Sequence, residues 1–271
     1  MSNWDYGRSD SWVTNYPQCN NQRQSPIDID TSTFDGFKNR CDIDCRLSLN
    51  YISSKCNVTN LNNTPTIYFD RGSILSFNKE SYNDELDENI KRTEKSNMYR
   101  LKKATLHTSS MHTINNESYD MEVLLYHYKI NMHNEDDTQD DNTGGVIVSL
   151  LYKSGNETGT PNAFFNQIIN RLPTKLTTTE INIKVNEDWG AELLLPKNKS
   201  FFTYDGSLPT PPCSKDWFYV VFEEVGVISK TLLNIFKLGY TKNNRKTQRL
   251  NGRSISYNSN PKLYNESFLS I

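Results

Sequence analysis

Chemistry in this chain would have to come from four histidines, five cysteines and a cluster of basic residues near the C-terminus. Neutral imidazole is both a metal ligand and an acid or base near physiological pH. Three of them converging tetrahedrally hold zinc and leave a fourth position for a water whose pKa falls to about 7. The candidates are His107, His112, His127 and His133. Any new site built from them would need three ligands brought together by the fold, which their spacing does not indicate. The cysteines are Cys19, Cys41, Cys45, Cys56 and Cys213; an odd count implies a free thiol or an intermolecular bridge through one of Cys41, Cys45 and Cys56. Cys41 and Cys45 are also close enough in sequence to pair locally, and zinc ligation by these three lacks a fourth ligand. The basic residues Lys237, Lys242, Arg245, Lys246, Arg249 and Arg253 could meet sulfate or phosphate groups. An acidic run, Glu135, Asp136, Asp137, Asp140 and Asp141, lies in an Asn/Thr-rich stretch; both runs read first as solvated faces.

The elements that must position these residues are mostly strands. Thr66 to Phe69, Glu122 to Tyr128, Val146 to Lys153 and Trp217 to Phe222 are short aromatic and β-branched runs, separated by polar or glycine breaks. Asp70-Arg71-Gly72 and Gly155-Asn156 read as turns. Pro161 to Leu172 and Ser229 to Leu238 carry helical apolar spacing. The pattern predicts a large antiparallel or mixed sheet with few helices. With 271 residues, no linker and no repeat, one domain is expected over 1–258, followed by a tail over 259–271. Mean hydropathy is low at -0.72, but 12 Phe, 15 Tyr and 4 Trp can still build a core. A net charge of -2 argues against nucleic acid as partner. No run approaches the ~20 apolar residues of a membrane span. Met1-Ser2-Asn3-Trp4 leads directly into polar sequence, so no secretory leader is expected in it.

Several motifs follow one another in order. They are Trp4-Asp5-Tyr6-Gly7, Trp12, Tyr16-Pro17-Gln18-Cys19, Gln24-Ser25-Pro26-Ile27-Asp28-Ile29, Tyr99-Arg100-Leu101 and His112-Thr113. Glu122 to Tyr128, Gly144-Gly145-Val146, Tyr204-Asp205-Gly206-Ser207-Leu208-Pro209-Thr210-Pro211-Pro212-Cys213 and Trp217 complete the set. Singly each is weak. In this order and spacing, from Trp4 to Ile255, the chain resembles the α-class carbonic anhydrases. That resemblance implies an α+β, mostly β fold: a central twisted, mainly antiparallel β-sheet with short peripheral helices.

The resemblance also says where zinc chemistry would sit. Two ligands at alternate positions of one strand fall on Thr105 and His107, and the third falls on Leu124. Because the stretch from His107 to His112 is shorter than the family pattern, His107 could instead occupy the first ligand position; Leu124 is unaffected. The hydroxyl that orients zinc-bound hydroxide falls at Pro209, the carboxylate behind it at Met111, and the proton-shuttle imidazole near Thr64-Pro65. One imidazole of three remains, so the resemblance implies a catalytically inactive member with two zinc-ligand histidines lost and no metal or other cofactor. Glu122 loses its family partner and is expected to turn to His107 or Thr105. His112 and His127 match positions behind the ligands and read as core histidines. Tyr6, Tyr126, Tyr128 and Tyr204 are expected to fill the vacated cone. Cys19 and Cys213 match the disulfide of secreted and membrane-bound members, which places the chain in an oxidising compartment. Sequons at Asn57, Asn62, Asn116, Asn156, Asn198 and Asn265 agree with that.

Such an inactive scaffold resembles in its logic the carbonic-anhydrase-like attachment proteins of poxvirus particles, which bind glycosaminoglycans. The expected function is therefore a non-catalytic binding or adhesion protein on a cell or virion surface. Its host-glycan site is expected at Lys242, Arg245, Lys246, Arg249 and Arg253. A structural subunit of a larger assembly is the alternative, and an active zinc enzyme the reading least favoured.

Overall fold

A computed structural model describes residues 4–34, 41, 45–70, 72–79, 98–130, 144–156, 160–240 and 242–259. His133, the acidic residues 135–141 and the tail beyond 259 lie outside the described residues. Strands and helices are numbered in chain order, the first helix, α1, being the single turn Trp12–Asn15. The main sheet runs from one edge through β11 (Thr177–Ile183), β3 (Cys56–Leu61), β4 (Thr64–Phe69), β6 (Met98–His107) and β9 (Met121–Lys129). It continues through β10 (Gly145–Gly155), β13 (Lys215–Phe222), β12 (Phe201–Ser207) and β15 (Ser256–Asn258). Off this path, β5 (Ile74–Lys79) pairs with β6 and with β2 (Cys45–Asn50), and β14 (Gly226–Ser229) pairs with β10. A small second sheet joins β1 (Asp28–Ile29), β7 (Thr113–Ile114) and β8 (Glu117–Ser118). Pairing in the large sheet is antiparallel except where β10 meets β13 and β14 in parallel, so the sheet is mixed and mainly antiparallel.

The central strands explain their own positions. β9 is apolar or aromatic almost throughout because it is buried on both faces, as a strand deep within a covered sheet must be. Its side chains alternate. Val123 and Leu125 enter a core shared with α2 (Thr160–Ile168) and α3 (Lys230–Gly239), through Phe164, Phe165, Ile168, Leu232 and Phe236. Leu124, Tyr126 and Tyr128 enter a second, aromatic core with Tyr6, Trp12, Met111, Tyr204, Leu208 and Trp217. The candidate chemistry lies on this second face.

All four expected strands and both helices are present. The predicted 161–172 helix starts at Thr160 and tightens after Ile168 into a 3₁₀ turn over Ile169–Arg171. Ser229 is not the first helical residue of the other: it caps α3, its hydroxyl accepting from Leu232 N at 3.2 Å. Such a cap contributes about 1 kcal/mol.

Cys19 and Cys213 are bonded, joining the N-terminal segment to the loop after β12 across 194 residues. Closing so long a loop stabilises by roughly 2–4 kcal/mol. Cys41 and Cys45 pair with each other. Cys56, the free thiol, is buried, and burial pushes its pKa up to about 12. The expectation of an intermolecular bridge is therefore corrected: two candidates are consumed locally and the third does not reach solvent. Two intramolecular disulfides fit an oxidising, extracellular-type compartment. Among the described residues, no helix is long and apolar enough to cross a membrane.

Candidate functional site

Strand register brings the three expected ligand positions together. Thr105 and His107 are two residues apart on β6, so they share a face, and Leu124 lies opposite Thr105 on β9. Thr66 lies opposite Thr105 on its other side, and Ser149 opposite Leu124, forming one row across the sheet. In the adjacent row, His107 stands opposite Glu122. All of these side chains are buried.

His107 is fully engaged. Its Nδ1 lies 2.7 Å from the Asn243 carbonyl, which can only accept, so Nδ1 carries the proton. Nε2 is then left with a lone pair, and the Thr105 hydroxyl, at 2.7 Å, donates to it. Asn243 is itself fixed, donating from Nδ2 to the Leu106 carbonyl and accepting from Thr108 N. Burial lowers the His107 pKa to about 4, so the ring is neutral at physiological pH. Tyr126 Oη closes the group, 3.4 Å from Thr105 Oγ1. Leu124 offers only methyl groups and packs in the aromatic core.

Glu122 does not take the partner expected of it. Neither His107 nor Thr105 reaches it; His112 Nδ1 and Ser149 Oγ meet Oε1, both at 2.6 Å. The backbone N–H groups of Met111 and His112 donate to Oε2 at 2.6 and 2.9 Å. The turn from Thr108 to His112 folds back over the carboxylate, which is why the nearest residue in register is not its partner. Burial alone would raise the Glu122 pKa, but His112 and these donors outweigh it and lower it to about 2. His112 Nε2 continues the network to Tyr204 Oη at 2.6 Å, and Tyr204 donates to Ser25 Oγ at 3.1 Å. His127 is a core histidine as expected: Nδ1 donates to the Leu125 and Val146 carbonyls, and Tyr51 donates to Nε2 at 2.8 Å. Burial lowers its pKa to about 3.

The tyrosines fill space. Tyr6, Tyr126, Tyr128 and Tyr204 are all buried, as are Met111 and Pro209. Tyr126 and Tyr128 meet Trp217 edge-on, Tyr204 stacks on Tyr219, and Tyr6 Oη bonds Thr64 Oγ1 at 2.7 Å. Lys103 Nζ lies 5.1 Å from the centre of the Tyr126 ring, within cation–π range.

The basic loop divides into two kinds of residue. Arg245 is 3% exposed and donates to Gln24 Oε1, the Ser25 carbonyl and the Cys19 carbonyl, with its guanidinium over Trp12. Arg253 is half-buried and donates to the carbonyls of Gln24, Asp205, Arg249 and Leu250. Both are braces, so a contiguous five-residue surface is corrected to the exposed Lys242, Lys246 and Arg249. Burial alternating along Asn243 to Lys246 is the signature of an extended segment lying on the core. A run of like charges concealed it.

A family model described as eukaryotic-type carbonic anhydrase matches residues 7–259. A carbonic anhydrase of Neisseria gonorrhoeae is 25% identical over 236 residues, covering 86% of this chain and 77% of that protein. Alpha carbonic anhydrase 3 of Arabidopsis thaliana is 25% identical over 168 residues, covering 59% of this chain. The match spans only 53% of the Arabidopsis protein's own length. Among solved structures, the α-carbonic anhydrase of Thermovibrio ammonificans with sulfanilamide superposes with a TM-score of 0.73 at 23% identity, covering 94% of this chain and 99% of that one. Cah3 of Chlamydomonas reinhardtii with acetazolamide gives 0.70 at 22%, with the same coverage.

Proposed function

The chain belongs to the eukaryotic-type carbonic anhydrase family, and we infer that it is a member without the family's zinc chemistry that acts as a binding protein. One observation carries the inference. At the three positions where strand register would assemble a metal site stand a hydroxyl, an imidazole and an alkyl group, and the imidazole lone pair is already taken by the hydroxyl. Zinc in this family's chemistry needs three strong donors and an open fourth position. These residues do not fit it. Pro209 and Met111, at the positions where the resemblance expects the orienting hydroxyl and the carboxylate behind it, carry neither group.

Binding would then lie on the outer surface. Lys242, Lys246 and Arg249 point to solvent, and their charge suits a sulfated polysaccharide on a cell exterior, met by a protein displayed outside a cell or virion. Metal content and CO₂ hydration measured on one purified sample test the first part: stoichiometric zinc with hydration activity would overturn it. Binding to heparan and chondroitin sulfate tests the second. It should weaken steeply with salt, and Lys242→Ala/Lys246→Ala/Arg249→Ala should weaken it by about tenfold, three exposed contacts of up to ~0.5 kcal/mol each. No binding, together with co-purification of fixed protein partners, would favour a structural subunit instead.

A further inference from the structure

Four of the six sequons lie wholly within the described residues, and the fold treats them differently. A sequon has two ends: the asparagine that receives the sugar and the hydroxyl two residues on that completes the recognised motif. At Asn57 the side-chain amide bridges β3 and β11, donating to Glu180 Oε2 at 2.8 Å and accepting from Asn182 Nδ2 at 3.0 Å. Its hydroxyl partner, Thr59, is buried. The Asn62 sequon ends in Thr64, buried and bonded to Tyr6. The Asn198 sequon ends in Ser200, which is buried and whose N and Oγ both donate back to Asn198 Oδ1.

Asn116-Glu117-Ser118 is the exception. Asn115 and Asn116 form the two-residue turn between β7 and β8, both at positive φ (52° and 62°), the backbone that type I′ hairpins require and Asn tolerates. Asn115 is exposed but tied to the N-terminal segment, its Oδ1 accepting from Thr31 N and Oγ1. Asn116 is held only by its backbone, N donating to Asp28 Oδ1 at 2.8 Å, and its amide has no partner among the described residues. Asn116, Glu117 and Ser118 are all exposed.

We propose that Asn116 is an N-glycosylation site. The reaction is displacement at the anomeric carbon of a lipid-pyrophosphate-linked oligosaccharide. Asn116 Nδ2 forms the C1–N bond, the C1–O bond to pyrophosphate breaks, Nδ2 loses one proton, and the lipid pyrophosphate leaves. The sugar would project from the hairpin tip with no strand pairing or buried contact disturbed. The proposal rests on the reading of an oxidising, secretory-type compartment.

The full chain, fused to a cleavable secretion signal in a eukaryotic host, tests it. Deglycosylation in ¹⁸O-water followed by peptide mass spectrometry should label Asn116 as aspartate in most molecules. Asn116→Gln and Ser118→Ala should each remove one glycan's mass, and Ser118→Thr should retain it; Ser118→Ala leaves the turn asparagine in place, so its result does not depend on hairpin strain. The same spectra report the Cys19–Cys213 bond. An unmodified Asn116 in protein with that bond closed overturns the site and leaves the compartment reading standing. Retained protein with both cysteines as thiols sinks the compartment reading and the site with it.

Discussion

His107 and Glu122 face each other across neighbouring strands, both buried, yet they solve burial in opposite ways. His107 is kept neutral: a carbonyl fixes its proton, a hydroxyl takes its lone pair, and burial lowers its pKa. Glu122 is kept ionised by His112, a serine hydroxyl and two backbone N–H groups. A buried polar group is tolerable when its bonding capacity is filled, and a buried charge only when it is also countered. The difference teaches that the two sites are separate. No hydrogen bond joins His107 or Thr105 to the carboxylate network one row away.

The sharpest break should come from Glu122→Gln. It replaces an acceptor for four donors with an amide that offers hydrogens to some of them, and breaking a buried pair costs about 3–5 kcal/mol. Urea denaturation reads this directly, and a loss below ~1 kcal/mol would mean that the carboxylate is not the network's centre.

Acid comes next, and both groups act in the same direction. Below the ordinary 6.5 the unfolded chain protonates its histidines while folded His107 resists until about 4 and His127 until about 3, so stability falls across that interval. Glu122 contributes above the ordinary 4.5, and that contribution is lost as pH falls towards about 2. Denaturation measured against pH should therefore weaken in two overlapping stages, and Glu122→Gln should erase only the lower one.

Thr105→Val should cost less, about 1–3 kcal/mol for leaving a buried acceptor unpaired. It removes the donor that favours neutral imidazole, so His107 should titrate at higher pH by NMR. An unmoved titration would show that burial alone sets the ring's state.

The smallest effect is the most diagnostic of function. Chelation should leave the melting temperature unchanged, whereas zinc held at a hundred times its Kd would contribute about 2.7 kcal/mol.

Much of this was legible in the sequence. The runs at 122–128 and 217–222 are apolar because they are central strands, and the family resemblance implies that Thr105 and His107 take alternate positions of one strand with Leu124 on its neighbour. What escaped were partnerships made through loops. Glu122 was expected to turn to His107 or Thr105, its neighbours in register, because nothing in the residue order shows how the turn after His107 folds back. Arg245 departs from its expected place on the surface for a similar reason: charge predicts exposure until a segment lies flat against carbonyls and an aromatic ring that satisfy it.

That loop has a consequence for how the protein can change over time. Arg245 and Arg253 secure the loop from beneath, while the side chains of Lys242, Lys246 and Arg249 stand outside and take no part in anchoring it. Mutation can therefore rewrite the outward residues with little penalty in foldedness. Selection for a new partner and selection for a stable fold act here on different side chains, which leaves the loop free to diversify.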